Sequence, residues 1–392
     1  MRIAVVHDYF TQMGGAEKVA AALMGMFPDA ALHATVALPE CMPQALTGVP
    51  TTTSWMQNLP GIRRYYRFYF LLYPLALPSL DLSGYDLVLS SSSGYAKGVR
   101  THRDAIHVCY CHTPMRWAWN FESYSAREEM GTAKRLLLSH ATRGLRHWDV
   151  GASRQPDHFI ANSQTVAERI HHAYGRIAEV IHPPIDLDRF HPSLEQDDYY
   201  VVLARLVSYK RIDLAVQACT LLGRRLVVIG DGPDRARLMA NAGPSVSFLG
   251  RLSDGEVEHY AARCRALIFP GEEDFGMAAL EIAAAGRPTI AYRAGGAVET
   301  IVDGVTGIFF DRQEPGDLAA AITRFERIEW SPAVLRRHAE NFGIDVFQGR
   351  LRAFLAKVGA PVPETAFLPF NPTPHAATAD LALASVQGGI HA

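Results

Sequence analysis

Cysteine is scarce in this chain. Five residues (Cys41, Cys109, Cys111, Cys219, Cys264) are spread through 392 positions. An odd, scattered set fits reduced thiols and argues against a disulfide-stapled scaffold. Cys109, Cys111 and His112 stand close together, but no second Cys/His pair at zinc-like spacing follows. Buried strand thiols sharing one face are the reading that remains. Charge imbalance is also missing: 38 Lys and Arg stand against 40 Asp and Glu, a net charge of -2. That leaves no overall basic field for nucleic acid. Long apolar runs are absent. The longest, 68–78, falls far short of the roughly 20 residues that span a bilayer, and it contains Pro74. The opening run turns polar at His7-Asp8, too early for a secretory signal, and a cytoplasmic protein is expected.

What is present is a soluble globular composition, 48% hydrophobic and 20% charged, on a chain long enough for two domains. Short apolar runs alternate with helical patterns, the signal for βαβ units and parallel sheets. The first series of predicted strands covers Ile3–Val6, Leu32–Val36, Leu87–Ser90, His107–Cys109 and His158–Ala161. A second, after Pro183-Pro184, covers Tyr199–Ala204, Arg225–Ile229, Val246–Leu249, Ala266–Phe269 and Thr289–Ala291. Two such series predict an α/β protein of two doubly wound domains, 1–190 and 191–344, with ligands at the carboxyl ends of the strands. A last helix is expected over Phe347–Val358, and the Pro-, Ala- and Thr-rich stretch 359–392 is expected to be a mobile tail.

The densest chemical signal is Glu273-Asp274-Phe275-Gly276-Met277-Ala278-Ala279-Leu280-Glu281, followed by Ala285 to Pro288 and by Gly295-Gly296. Glycine at a strand-to-helix turn lets the backbone approach a ligand, and the amides at a helix N-terminus face an anion or hydroxyls. Glu281 lies about two helical turns beyond Glu273, so the two carboxylates suit different ends of one elongated ligand. Gly14-Gly15-Ala16-Glu17-Lys18 opens a helix after the first strand and lacks the Gly-x-Gly-x-x-Gly pattern of a nicotinamide enzyme. Arg205 and Lys210 follow the first strand of the second series, and His112-Thr113-Pro114-Met115-Arg116-Trp117 follows a strand of the first.

Together these segments resemble the GT4 family of GT-B glycosyltransferases, over roughly residues 1–355. The resemblance implies two Rossmann-like domains facing a central cleft, the final helix crossing back to the first domain. It implies that Arg205 and Lys210 grip the donor diphosphate, neutralising charge on the leaving group. Glu281 would accept hydrogen bonds from the ribose and Glu273 from the transferred sugar. Gly14, Gly15, Asp274, Phe275, Gly276 and Met277 would line the donor, with backbone amides offered by Phe275, Gly276 and Met277. His112 would face the donor sugar. Arg116 and Trp117, with Glu17, would meet the acceptor; an aromatic packed in the core is an equal reading for Trp117. Ile181 to Phe190 would be the interdomain segment, and Gly230-Asp231-Gly232-Pro233 a turn near the base. Arg211 stands where many relatives have glycine, and could add a phosphate contact. No Asp-x-Asp marks a metal site of the other major glycosyltransferase fold, so metal-independent phosphate binding is expected.

The wording of Val5 to Tyr9, Gly14 to Val19, Cys109 to Arg116 and His182 to Phe190 resembles WbaZ-type bacterial mannosyltransferases. This implies a retaining transfer of mannose from GDP-mannose to a polyprenyl-diphosphate-linked saccharide, by same-face attack without a protein nucleophile. UDP-sugar donors fit the same motifs, and a non-catalytic nucleotide-sugar-binding partner is the rival from another class. Arg63, Arg64 and Arg67 beside aromatics suit either an anionic membrane surface or a packed helix with an exposed basic edge.

Overall fold

The computed structural model of the chain describes residues 1–119 and 132–360. The expected tail lies outside the described residues beyond Ala360. Among the described residues the chain forms two compact units: Met1–Pro184 with Phe347–Ala360, and Ile185–Val346.

The first unit holds seven strands: β1 (Ile3–His7), β2 (Ala31–Ala34), β3 (Thr51–Thr53), β4 (Leu87–Ser92), β5 (Ile106–Cys111), β6 (His158–Ala161) and β7 (Ala178–Val180). They form one parallel sheet in the order β3-β2-β1-β4-β5-β6-β7. Strand β1 is buried along its whole length, as a parallel strand covered on both faces must be. Its alternate residues enter different cores: Ile3 and Val5 join Leu23, Leu32 and Leu351, while Ala4 and Val6 join Leu77, Val88 and Tyr95. Cys109 and Cys111 are both buried in one cluster beneath the helix Gln164–Tyr174.

The second unit repeats the plan with β8 (Tyr200–Leu203), β9 (Leu226–Ile229), β10 (Val246–Gly250), β11 (Leu267–Phe269), β12 (Thr289–Tyr292) and β13 (Gly307–Phe310), ordered β10-β9-β8-β11-β12-β13. Tyr199 and Val201 enter one core, Tyr200 and Val202 the other. In both sheets the strand order reverses, at β1/β4 and at β8/β11, and such switch points open crevices at the carboxyl ends of strands.

Three strands escaped the sequence reading. β3 is a threonine triplet and β7 a three-residue edge, both only partly buried. β13 is a four-residue apolar run that periodicity cannot separate from its surroundings. The break between units falls at Pro184/Ile185 because Ile185 N–H donates to the Phe342 carbonyl at 2.9 Å and Phe190 is buried in the second core. The last helix, Ile344–Lys357, places Phe347 edge-on to Tyr110 at 5.9 Å. Among the described residues no helix is long and apolar enough to cross a membrane.

Candidate active site

The catalytic candidates of the first unit stand where three neighbouring strands end. Register sets His7 beside Ser91 and Ser92 beside Cys111. His112 extends β5: its N–H donates to the Ser92 carbonyl at 2.8 Å, and its own carbonyl accepts from Asn162 Nδ2 at 3.0 Å. Its Nε2 lies 2.8 Å from Ser91 Oγ, and that hydroxyl lies 3.0 Å from His7 Nδ1. The far nitrogen of His7 faces Glu17 Oε1 at 3.9 Å. Glu17 occupies the first turn of the helix Gly15–Met26 and is 2% exposed. Placed by sequence among the acceptor contacts, its carboxylate instead turns inward, where its side chain leans back toward β1. A Cβ on Gly14 would come within 3.0 Å of Glu17 Oε2, so the glycine turn closes directly over the carboxylate.

Asp8 braces this cluster. Its buried carboxylate accepts from the N–H groups of Ser93 (2.6 Å), Tyr95 (2.9 Å) and Ala96 (2.5 Å). Three charge-assisted bonds pin the chain after β4 to the end of β1, and with it the Ser91 hydroxyl. Deeper, Lys97 Nζ pairs with Asp149 Oδ1 at 2.5 Å, both side chains fully buried. Asp149 Oδ2 also accepts from Trp119 Nε1 (2.8 Å) and Tyr174 OH (2.7 Å). Burial is the largest single influence on Lys97 and would lower its pKa, but the charge and hydrogen bond of Asp149 together with Cys111 and Cys109 outweigh it, and the ammonium is held above its ordinary range. Arg116 opens the short helix Arg116–Trp119 and is half-buried. The side chain of Trp117 lies outside the described residues.

In the second unit the loops leaving β8, β11 and β12 interlock. Arg205 is exposed just after β8. Lys210 ends a 3-10 turn, and its Nζ meets Glu273 Oε1 at 2.8 Å. The structure therefore brings together the phosphate cation and the sugar-binding carboxylate expected from sequence. Each shields the other's charge in a half-buried setting. Gly276 caps the helix Met277–Ala284 at φ 93, a left-handed conformation that glycine adopts without penalty. Phe275 is 3% exposed and packs against Phe342, so only its backbone serves a ligand. Glu273, Asp274, Met277 and Glu281 are half-buried around that helix start. Gly296 N–H donates to the Glu273 carbonyl at 2.8 Å, and a Cβ at position 296 would lie 2.2 Å from Phe275 Cα. Only glycine lets the two loops meet this closely.

Arg211 departs from expectation. Its guanidinium is held by Asp213 (3.2 Å) and by Gln313 Oε1 (3.2 Å), so the extra phosphate contact has other partners. Its φ of 52 is positive, which is why glycine suits this position physically. Sequence reasoning missed His7, Ser91, Asp8 and the Lys97–Asp149 pair; the serine run at the end of β4 was the available signal. Among the described residues no group of three or more His, Cys, Asp or Glu gathers as metal ligands would.

Comparison with known proteins fits this geometry. Residues 13–189 match the family model Glycosyltransferase Family 4, and residues 185–342 match Glycosyl transferases group 1. The two glycosyltransferase models match in tandem over most of the chain, and the fold is the GT-B fold. A D-inositol 3-phosphate glycosyltransferase of Geodermatophilus obscurus is 31% identical over 223 residues, 48% of this chain and 50% of that protein. A glycosyltransferase of Methanocaldococcus jannaschii is 27% identical over 194 residues, 48% and 54% of the two chains. The chain thus spans about half the length of the curated relatives it matches. Among solved structures, sucrose-phosphate synthase from Thermosynechococcus elongatus superposes with a TM-score of 0.69 at 16% identity, covering 92% of this chain and 99% of that one. Anabaena HepE in complex with UDP and glucose gives 0.66 at 17% identity, covering 91% and 99%.

Proposed function

We propose that the chain is a retaining glycosyltransferase that moves mannose from GDP-mannose to a polyprenyl-diphosphate-linked saccharide. The observation that carries the transferase reading is the Lys210–Glu273 pair, packed between the loops leaving the switch-point strands β8 and β11. On donor binding Lys210 and Arg205 take the diphosphate, and Glu273 takes a sugar hydroxyl. Glu281 takes the ribose, and amides at the start of the helix Met277–Ala284 face the phosphates. Charge grows on the leaving diphosphate as the anomeric bond breaks, so fixed cations there stabilise the transition state more than the ground state. A diphosphate oxygen receives the acceptor proton, and no side chain is asked to become a nucleophile. Phosphate binding is proposed to need no metal. His112 is assigned a hydrogen bond to a hydroxyl of the bound sugar.

Wording shared with WbaZ-type enzymes supports mannose. A UDP-sugar donor is the second reading, favoured by the UDP and glucose of the Anabaena neighbour. Thermal stabilisation by GDP, UDP, ADP and dTDP with EDTA separates the two. A nucleotide at 100 times its Kd adds about 2.7 kcal/mol. Response to GDP alone supports mannose, response to UDP alone replaces the donor, and silence with all four favours a non-catalytic role. Lys210→Ala is expected to lower turnover by about 10²–10³-fold.

We also propose that residues 63–78 rest on an anionic membrane surface. Ile62, Tyr73, Ala76 and Leu77 anchor this segment in the core, while Phe68 (75%), Leu75 (66%), Leu71 (48%) and Tyr65 (43%) stay exposed beside Arg63, Arg64 and Arg67. Sedimentation with phosphatidylglycerol vesicles, and release by Phe68→Ser or high salt, tests it; equal binding to neutral vesicles sinks it.

A further inference from the structure

Arg211 is the one residue other than glycine with a positive φ among the described residues. It stands alone between the 3-10 turn Ser208–Lys210 and the helix Ile212–Leu222, at φ 52 and ψ 36. Local physics would choose glycine there, since a side chain at this angle crowds the backbone. What the arginine side chain adds is a set of contacts. Its Nε donates at 3.2 Å to Oδ1 of Asp213, in the first turn of the helix it precedes, and its Nη1 donates to Gln313 Oε1 at 3.2 Å. Gln313, just beyond β13, in turn donates from Nε2 to the Pro270 carbonyl at 3.0 Å. A guanidinium can only donate and a carbonyl can only accept, so the amide of Gln313 is held one way round. Pro270 follows β11 directly, three residues before Glu273.

We propose that Arg211 and Gln313 are positioning residues that clasp the loop carrying Lys210 to the loop carrying Glu273, and so set where Lys210 meets the donor diphosphate. This rests on the assignment of Lys210 to that diphosphate under the proposed function. The clasp acts where the two loops already touch: a Cβ on Gly271 would lie 2.7 Å from Lys210 Cα. The Lys210–Glu273 ion pair, at 2.8 Å, spans the same two loops. When the diphosphate arrives, Lys210 has to leave Glu273 for a phosphate oxygen. With that pair opened, backbone contact and the clasp keep the loops from separating, so the ammonium stays placed while its partner changes. A cation placed beforehand loses less freedom on binding than one on a loose loop. The clasp also accounts for arginine at a glycine position, because its contacts offset a backbone cost that glycine would avoid. Neither residue has to touch the donor, and a direct phosphate contact by Arg211 would require it to give up Asp213 and Gln313.

Two readouts on the full-length protein test it. Without ligand, brief acetylation by acetic anhydride followed by peptide mass spectrometry compares Lys210, which is partly exposed, with Lys97, which is fully buried and reports the fold. Arg211→Gly keeps the backbone angle and removes the guanidinium; Gln313→Ala keeps the guanidinium and removes the bridge. Each is expected to raise Lys210 labelling severalfold while Lys97 stays protected. Should one variant expose Lys97, the other decides. With ligand, calorimetry with GDP, UDP, ADP and dTDP is expected to show either variant weakening the nucleotide that the wild type binds by about tenfold, and costing nothing further in a Lys210→Ala background. Lys210 labelling unchanged in the folded variants overturns the inference, as do nucleotide losses that simply add to that of Lys210→Ala. Normal affinity in Gln313→Ala beside a loss in Arg211→Gly also overturns it, and gives Arg211 to the phosphate directly. A wild type that binds none of the four nucleotides would sink the donor assignment, with labelling still judging the clasp; unchanged labelling with tight nucleotide binding would sink the clasp and leave the donor assignment standing.

Discussion

The two units share a strand plan and place functional groups at the same strand ends, yet they hold them by different means. In the first unit the means are buried polar side chains: His7, Asp8, Glu17, Ser90 to Ser92, Lys97, His107 and His112 are all almost fully buried. In the second the loops meet backbone to backbone, as where Gly296 approaches Phe275, and the charged groups Lys210 and Glu273 stay partly solvated. Buried hydrogen bonds set proton positions at the cost of desolvation. Backbone contact sets shape and leaves these charged groups wet enough to exchange partners. Under the proposed function, the first unit orients polar groups and the second receives the charged donor.

The comparison breaks most visibly at Lys97. Lys97→Met leaves Asp149 as an uncompensated buried charge and should cost about 3–5 kcal/mol, read from the urea midpoint. A loss below 1 kcal/mol would mean the first unit does not depend on its buried charges. His107 tests the same idea by pH. Burial holds its pKa down at about 4 against an ordinary 6.5, with Asp157 opposing. The unfolded chain therefore binds the proton first as pH falls. Stability from this group is complete above about pH 6.5 and declines toward pH 4, by about 3 kcal/mol. His107→Gln should flatten urea midpoints across that window.

The second unit should fail differently. Gly296→Ala forces the loops after β11 and β12 apart, for about 1–3 kcal/mol. Nucleotide-dependent stabilisation should vanish while the protein still folds, which a thermal melt with and without nucleotide reads directly. Full nucleotide response in this variant would deny the backbone fit its role. The smallest effect is expected at Arg211. Arg211→Gly relieves a positive φ but gives up the Asp213 and Gln313 contacts, so the net change should stay within about 1 kcal/mol.

Legibility followed locality. The motif Glu273 to Glu281, the cations Arg205 and Lys210 and the Gly14-Gly15 turn are each contiguous, and their residue types announce a turn, a helix start or a charge. Central strands were equally plain because burial on both faces demands unbroken apolar runs. Edge strands were not, since Thr51–Thr53 and Ala178–Val180 bury only part of their surface. His7 and Ser91 lie 84 positions apart, and only the pairing of β1 with β4 makes them neighbours. The linear chain by itself determined the doubly wound plan, the glycine turns and the charged residues after the strands, because periodicity and turn chemistry act over a few residues. Tertiary structure decided that Glu17 faces His7, that Lys210 meets Glu273 and that Arg211 is held by Asp213 and Gln313. Those outcomes depend on strand register and on loop-to-loop packing, which no local stretch of sequence contains.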